Sequence, residues 1–187
     1  MLIKERFEDL WETRINTAQR YDELWGLISE VLNPNDTKTI LEIGIAFGGT
    51  TRFWAELADR LIAVDMDLKL LVADPDEFAC ETTLIEGNSR EIQTVEKVYK
   101  ALGAKKVVDF LFVDGDHSAP GCLGDVECYY DLVRSGGIIA FHDIEFSGVR
   151  DAMFDLRQSE WFEYTEEGTF QDAPGTSTFG ITWFRKR

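Results

Sequence analysis

The chain has 187 residues, with 35 acidic against 19 basic side chains and a formal charge of -16 at pH 7. The resulting negative field repels phosphate backbones and anionic headgroups, which excludes nucleic acid and bare membrane as partners held by charge. A hydrophobic fraction of 44% still suffices for one folded domain over residues 1–187, so the acidity reads as solvated surface and not as disorder.

Residues Ile3 to Leu32 place Phe7, Leu10, Trp11, Ile15, Leu24, Trp25 and Ile28 at three-four spacing, which predicts an amphipathic helix, broken near Asn16 and stopped by Asn33-Pro34-Asn35-Asp36. Residues 1–36 therefore read as a helical cap and residues 37–187 as an α/β core. Trp11 and Trp25 are either packing residues or a cover for a substrate. The opening residues are charged throughout and no apolar run reaches the roughly 20 residues of a membrane span, so the expected location is cytoplasmic. Cys80, Cys122 and Cys128 form no C-x-x-C pair and are expected to be reduced and mostly buried.

Beyond the cap, apolar runs alternate with helical segments. Strands are predicted at 39–43, 61–64, 82–86, 107–113 and 137–141. Helices are predicted at 50–57, 68–73, 89–102, 121–133 and 149–158. Runs such as VVDFLFV and GIIAF are apolar at nearly every position, as in strands covered on both faces by helices. The fold class is α/β, a doubly wound, mostly parallel seven-stranded sheet. It is ended by an antiparallel hairpin built from WFEYTEEG and STFGITWFRKR around the turn-rich QDAPGT.

The first strand runs into Glu42-Ile43-Gly44, and Gly44, Gly48 and Gly49 let the backbone turn tightly and approach a ligand. The spacing is neither G-x-G-x-x-G nor a P-loop, and no lysine is present to hold a phosphate. The fourth strand is followed by Asp114, Asp116 and His117, and the fifth by His142 and Asp143. These include both histidines of the chain. In an open parallel sheet, adjacent strand ends face one crevice, so these side chains are expected to share a site.

The segment EIGIAFGGT resembles the first motif of class I S-adenosylmethionine-dependent methyltransferases. The run D-G-x-H, helix, L-x-x-G-G, strand, H-D resembles the small-molecule group related to macrolide-sugar O-methyltransferases and the cephalosporin-hydroxylase-like family. The resemblance covers the chain from about Thr39 onward. It implies S-adenosylmethionine held by Glu42, Gly44, Ala46, Gly48, Thr50 and Thr51 of the loop. It also implies Asp65 and Met66 at the ribose, Asn88 and Ser89 at the adenine, and Asp114 beside the donor. Asp65, just past a strand, can accept both ribose hydroxyls. Asn88 or Ser89 can alternatively cap the following helix.

The resemblance further implies a divalent metal, Mg2+ or Mn2+, at Asp114, His142 and Asp143, with His117 as general base; metal ligation is the other role open to His117. An imidazole at position 142, where relatives commonly carry a carboxylate, suits manganese, iron or zinc better than magnesium. The implied reaction is O-methylation of a hydroxylated small-molecule acceptor, with a homodimer as the expected assembly. The alternatives are a non-catalytic cofactor-binding protein, a metal-dependent oxygenase or hydrolase on the same scaffold, and, least favoured by the glycine spacing, a nicotinamide dehydrogenase.

Overall fold

β1 (Thr39–Ile43) is the parallel neighbour of both β2 (Arg60–Asp65) and β4 (Val108–Val113). A computed structural model describes residues 4–13, 19–32, 36–104, 106–171 and 179–187. β3 (Glu81–Glu86), β5 (Val133–Phe141), β6 (Tyr164–Phe170) and β7 (Ile181–Lys186) complete a seven-stranded sheet in the order β3-β2-β1-β4-β5-β7-β6. The first five strands in chain order are parallel. β7 runs antiparallel to both β5 and β6, so the predicted terminal hairpin forms; most of its turn lies outside the described residues.

Register decides what the sheet can do. Ile43 pairs with both Val64 and Val113, and Val113 pairs with Phe141. Three further backbone bonds extend the ladder past the strands: Gly44 N–H to Val64 O, Asp114 N–H to Ile43 O, and His142 N–H to Val113 O. Gly44, Asp65, Asp114 and His142 therefore come out along one carboxyl edge.

Helices cover both faces. α1 (Lys4–Glu12), α2 (Tyr21–Gly26) and α3 (Gly49–Leu57) bury Phe7, Leu24, Phe53 and Trp54 against Ile40, Phe110 and Phe112 on one side. On the other, α4 (Ile92–Leu102), α5 (Ala119–Tyr129) and α6 (Ser147–Gln158) bury Val98, Val126 and Leu156 against Leu41, Leu111 and Ile139. Each strand feeds alternate side chains to the two cores, which is why its sequence is apolar throughout.

Several boundaries differ from expectation for local reasons. In the cap, α1 stops at Glu12, and α2 runs on into a π-helical turn, Leu27–Val31. The break expected near Asn16 lies outside the described residues. α4 begins at Ile92 and not at Ser89, because the Asn88 side chain accepts the Arg90 N–H and holds a turn there. Neither Asn88 nor Ser89 is the cap, which falls at Glu91. The predicted helix at 68–73 shortens to a 3-10 turn, Leu68–Leu70, since Val72 and Ala73 donate to Phe47 O. β5 starts earlier than expected, at Val133, which pairs with Val108 across a register shift.

Trp11 and Trp25 are packing residues. Their rings lie 6.2 and 5.0 Å from that of Phe7, which in turn packs at 5.1 Å on Phe53. The three cysteines are free, but only Cys122 is buried; Cys80 and Cys128 are half-buried.

Candidate active site

The glycine turn after β1 is shaped by backbone constraint. Gly44 has φ +93°, and a Cβ there would sit 2.1 Å from the Asp114 carbonyl oxygen, so only glycine fits. Ala46 also lies in the left-handed region, at φ +47°. Asp65 clamps this turn: Oδ2 accepts the N–H groups of Ile45 (2.7 Å) and Ala46 (2.9 Å), and Oδ1 accepts that of Asp67 (2.9 Å). The carboxylate is therefore a loop fastener as well as a candidate ribose acceptor, and its spare accepting capacity lies on Oδ1.

A cleft of about 640 Å³ opens over this turn. Of the residues predicted from sequence, Gly44, Ala46, Thr50, Asp65, Met66, Asn88, Ser89, Asp114 and His117 line it. Glu42, Gly48, Thr51, His142 and Asp143 stand behind its walls. Glu42 is fully buried, and burial pushes its carboxyl up to about 8 against the Thr51 hydroxyl and the Trp54 indole, which favour the charged form. It is thus a neutral acid under the turn at pH 7. Ser89 donates to buried Asp125 at 2.5 Å, and burial pushes the Asp125 carboxyl up to about 6. The Ser89 hydroxyl is accordingly committed behind the wall.

At the far end the cleft meets the charged cluster. Asp114, His117 and Asp143 each offer one ligand atom, all within 4.8 Å of one another. His117 Nε2 is 3.1 Å from Asp143 Oδ2 and 3.6 Å from Asp114 Oδ1. Yet His117 Nε2 and Asp143 Oδ1 are buried with no hydrogen-bond partner among the described residues. Two carboxylates and an imidazole this close together can hold a shared cation. Asp143 reaches this position with φ +55°, a left-handed conformation that aspartate tolerates better than most residues. Phe146, in the loop before α6, lies over His117 with ring centres 5.0 Å apart.

His142, expected beside Asp114 and Asp143 as a ligand, lies next to both but outside the group formed by Asp114, His117 and Asp143. Its ring is buried, with Nδ1 3.1 Å from Asp114 Oδ1 and 3.3 Å from Asp143 Oδ1, while Nε2 is 3.2 Å from Glu23 Oε1. Nδ1 thus faces two carboxylates of the cluster from behind, while Nε2 faces Glu23. Burial works against its charge, but Asp114, Asp143 and Glu23 outweigh that and hold its pKa well above the usual value. Burial would likewise raise Asp114, but His142 and His117 draw it below the ordinary carboxylate range. The neighbouring Asp114 carboxylate raises His117 above its ordinary value, burial opposing.

Sequence reasoning missed Gln19 and Glu23. Gln19 lines the cleft, donates to Asp114 Oδ2 at 2.6 Å and accepts the Thr50 hydroxyl. Glu23 also accepts the Arg20 N–H at 2.6 Å. The only local signal was that Glu23 stands beside Leu24 and Leu27 on the buried side of its helix, where a carboxylate needs a partner.

Comparison with known proteins adds the following. A methyltransferase domain profile matches residues 41–144. Uncharacterized protein R132 of Acanthamoeba polyphaga mimivirus is 24% identical over 117 residues, 59% of this chain and 53% of that protein. The chain thus spans about half the length of this curated relative. The O-methyltransferase TomG of Streptomyces achromogenes, solved with S-adenosylmethionine, superposes with a TM-score of 0.66 at 14% identity, over 100% of this chain and 99% of TomG. The MycE methyltransferase of mycinamycin biosynthesis, solved with magnesium, S-adenosylhomocysteine and mycinamycin VI, gives 0.67 at 13% identity, over 96% of this chain and 54% of MycE. At these identities the two structures establish a common fold. No helix among the described residues is long and apolar enough to cross a membrane.

Proposed function

The chain belongs to the methyltransferase domain family, and from that premise we propose that it transfers the methyl group of S-adenosylmethionine to a hydroxyl of a small molecule, aided by a divalent cation. The carrying observation is that one cleft runs from the Asp65-clamped glycine turn to Asp114 and His117, which form a cluster with Asp143 behind the wall. Both solved relatives named above hold this cofactor or its product, and MycE holds magnesium as well.

The residues fit both groups. The turn from Gly44 to Thr50 and the start of α3 would take the amino-acid end of the cofactor, with the helix N-terminus favouring its carboxylate. Asp65 Oδ1 would accept a ribose hydroxyl, and Met66 and Asn88 would flank the base. Asp114, His117 and Asp143 would hold the cation in place of the expected set containing His142. An imidazole ligand favours manganese over magnesium. When bound, the cofactor supplies a sulfonium methyl and the cation lowers the pKa of a coordinated hydroxyl.

The protein's share of the work is alignment and proton removal. Asp114 stands where the two ends of the cleft meet and orients the acceptor. His117, on the cleft wall and in contact with Asp143, takes the hydroxyl proton when it is not a ligand. His142, among Asp114, Asp143 and Glu23, is the group next to the cluster that can offset carboxylate repulsion. Its engagement with Glu23 also weakens the reading of a two-histidine oxygenase centre. The free cysteines and acidic surface fit a cytoplasmic setting.

The test is calorimetric titration of S-adenosylmethionine and S-adenosylhomocysteine into metal-free, Mg2+-loaded and Mn2+-loaded protein. Micromolar binding is expected, strongest with Mn2+. Absence of binding in every metal state overturns the proposal.

A further inference from the structure

We infer that Phe146 is the platform on which the acceptor's ring lies, and that the acceptor is a planar aromatic hydroxyl compound without an anionic substituent. The inference rests on the function proposed above and names its substrate class. Phe146 is 46% exposed. Single exposed apolar side chains are ordinary, so what matters is where this one stands and how firmly it is held. Its ring centre is 5.0 Å from that of His117, with 30° between the planes, and His117 Nε2 faces Asp143 and Asp114.

The backbone fixes the two rings relative to each other. Phe146 N–H donates to Asp143 O at 2.9 Å, closing a turn from Asp143 to Phe146, and Phe146 O accepts the Arg150 N–H in the first turn of α6. At Gly148 a Cβ would stand 2.3 Å from the His117 carbonyl oxygen and 2.9 Å from the Ala119 nitrogen, so α6 begins in close contact with the backbone that carries His117. A hydroxyl oxygen held at the cluster is one bond from its own carbon skeleton. The body of the acceptor therefore lies beside His117 and Phe146, and an aromatic face held there favours a planar ring in offset or edge-on contact.

The polar groups around this position are already committed. Gln19 is bonded to Asp114 and Thr50, Arg90 to Asp116, and the Ser118 hydroxyl oxygen to the Gly121 N–H. On the Phe146 side, Arg150 and Gln171 are both bonded to Glu145. A saturated polyol brings further hydroxyls, each costly to bury without a partner, whereas the ring of a phenol or catechol brings none beyond those at the cluster. Charge adds to this. Asp114, Asp116, Asp143 and Glu145 make the surroundings negative, while Arg90 and Arg150 are ion-paired with Asp116 and Glu145. An anionic acceptor is repelled there and a neutral or cationic one is not.

The experiment is calorimetric titration of three probes into the full chain saturated with S-adenosylhomocysteine, with and without Mn2+. The probes are catechol, cis-cyclohexanediol as its saturated counterpart, and catechol sulfonate as its anionic counterpart. Wild type is expected to bind catechol at least about ten-fold more tightly than either counterpart. Phe146→Ala should weaken catechol binding by about five- to ten-fold, while Phe146→Tyr, which keeps the ring, stays within about two-fold of wild type. Phe146→Leu, apolar but without a ring, replaces the alanine variant if that one does not fold. S-adenosylhomocysteine and Mn2+ affinities should stay within about two-fold in every variant, so chelation of Mn2+ by catechol cancels in the comparison. Equal affinity for catechol and cyclohexanediol, preference for the sulfonate, an unchanged catechol affinity in Phe146→Ala, or no catechol binding by protein that binds S-adenosylhomocysteine overturns the inference and leaves the proposed function standing. Failure to bind S-adenosylhomocysteine in any metal state overturns both.

Discussion

Two histidines separated in sequence by a helix and a strand are put to different uses by their carboxylate neighbours. His142 is enclosed, with a carboxylate on each ring nitrogen, and these carboxylates raise its pKa well above the usual value against the effect of burial. His117 is a third exposed and touches the same cluster from the cleft side, so it alone can exchange a proton with something bound there. Its raised pKa fixes the sign of a pH effect. Above its shifted value His117 is neutral and competent as a base; below it the ring is already protonated. Methyl transfer to a hydroxylated acceptor, followed by radiolabel from the cofactor in cation-free protein, should therefore rise with pH through a value above about 6.5. His117→Gln should lower the rate about 10²- to 10⁴-fold and flatten that rise, while leaving S-adenosylhomocysteine affinity within about two-fold. A rate that falls across the same range, or a variant that loses cofactor binding, contradicts the role.

At the scale of elements, the turn between β1 and α3 is the most constrained segment near the cleft. Its geometry needs a left-handed glycine at position 44, an aspartate on β2 to collect its N–H groups, and close approach to the backbone after β4. Gly44→Ala forces a Cβ against the Asp114 carbonyl as well as an unfavourable φ. The expected cost is at least about 2 kcal/mol, from strain and displaced backbone together. Gly103, which ends α4 with φ +67°, has open space where a Cβ would stand, with nothing within 4 Å. Gly103→Ala, at φ +67° and ψ −146° in a backbone region open essentially to glycine alone, should cost that backbone penalty without an added clash, about 1–3 kcal/mol. Denaturant unfolding of the two variants measures the difference; equal losses would mean that the contact with β4 is relieved by movement of the turn.

For the molecule as a whole, burial of acid groups sets a pH dependence of folding. Glu42 remains protonated in the fold up to about 8, whereas an unfolded glutamate ionises near its ordinary value. The folded chain therefore binds more protons than the unfolded chain between those values. Stability contributed by Glu42 is full in acid and declines as pH rises toward 8. Asp125, pushed up to about 6, acts in the same direction over a lower window. Glu42→Gln keeps the shape without the ionisation, so it should be nearest to wild type at about pH 5 and more stable by a few kcal/mol at about pH 9. Thermal unfolding across that range checks it, and a wild-type advantage at the alkaline end would show that the carboxylate is charged in the fold and stabilised there.

The sequence by itself determined the layered α/β architecture, the alternation of strands and helices, the terminal antiparallel pair and the edge on which the acidic and histidine side chains gather. These follow from local signals: apolar runs, periodic spacing, glycine at the turn, and polar residues just past a strand. Tertiary structure decided what each of those side chains touches. It turned His142 toward Glu23, brought His117 into the candidate cation cluster, spent Asp65 on the glycine turn and Ser89 on Asp125. It also drew Gln19 from the N-terminal cap onto Asp114. The partners involved lie as far as 95 and 119 residues apart in the chain. No periodicity reaches across such a distance, because the choice among competing carboxylates is made only when separate elements pack and buried polar atoms must find partners.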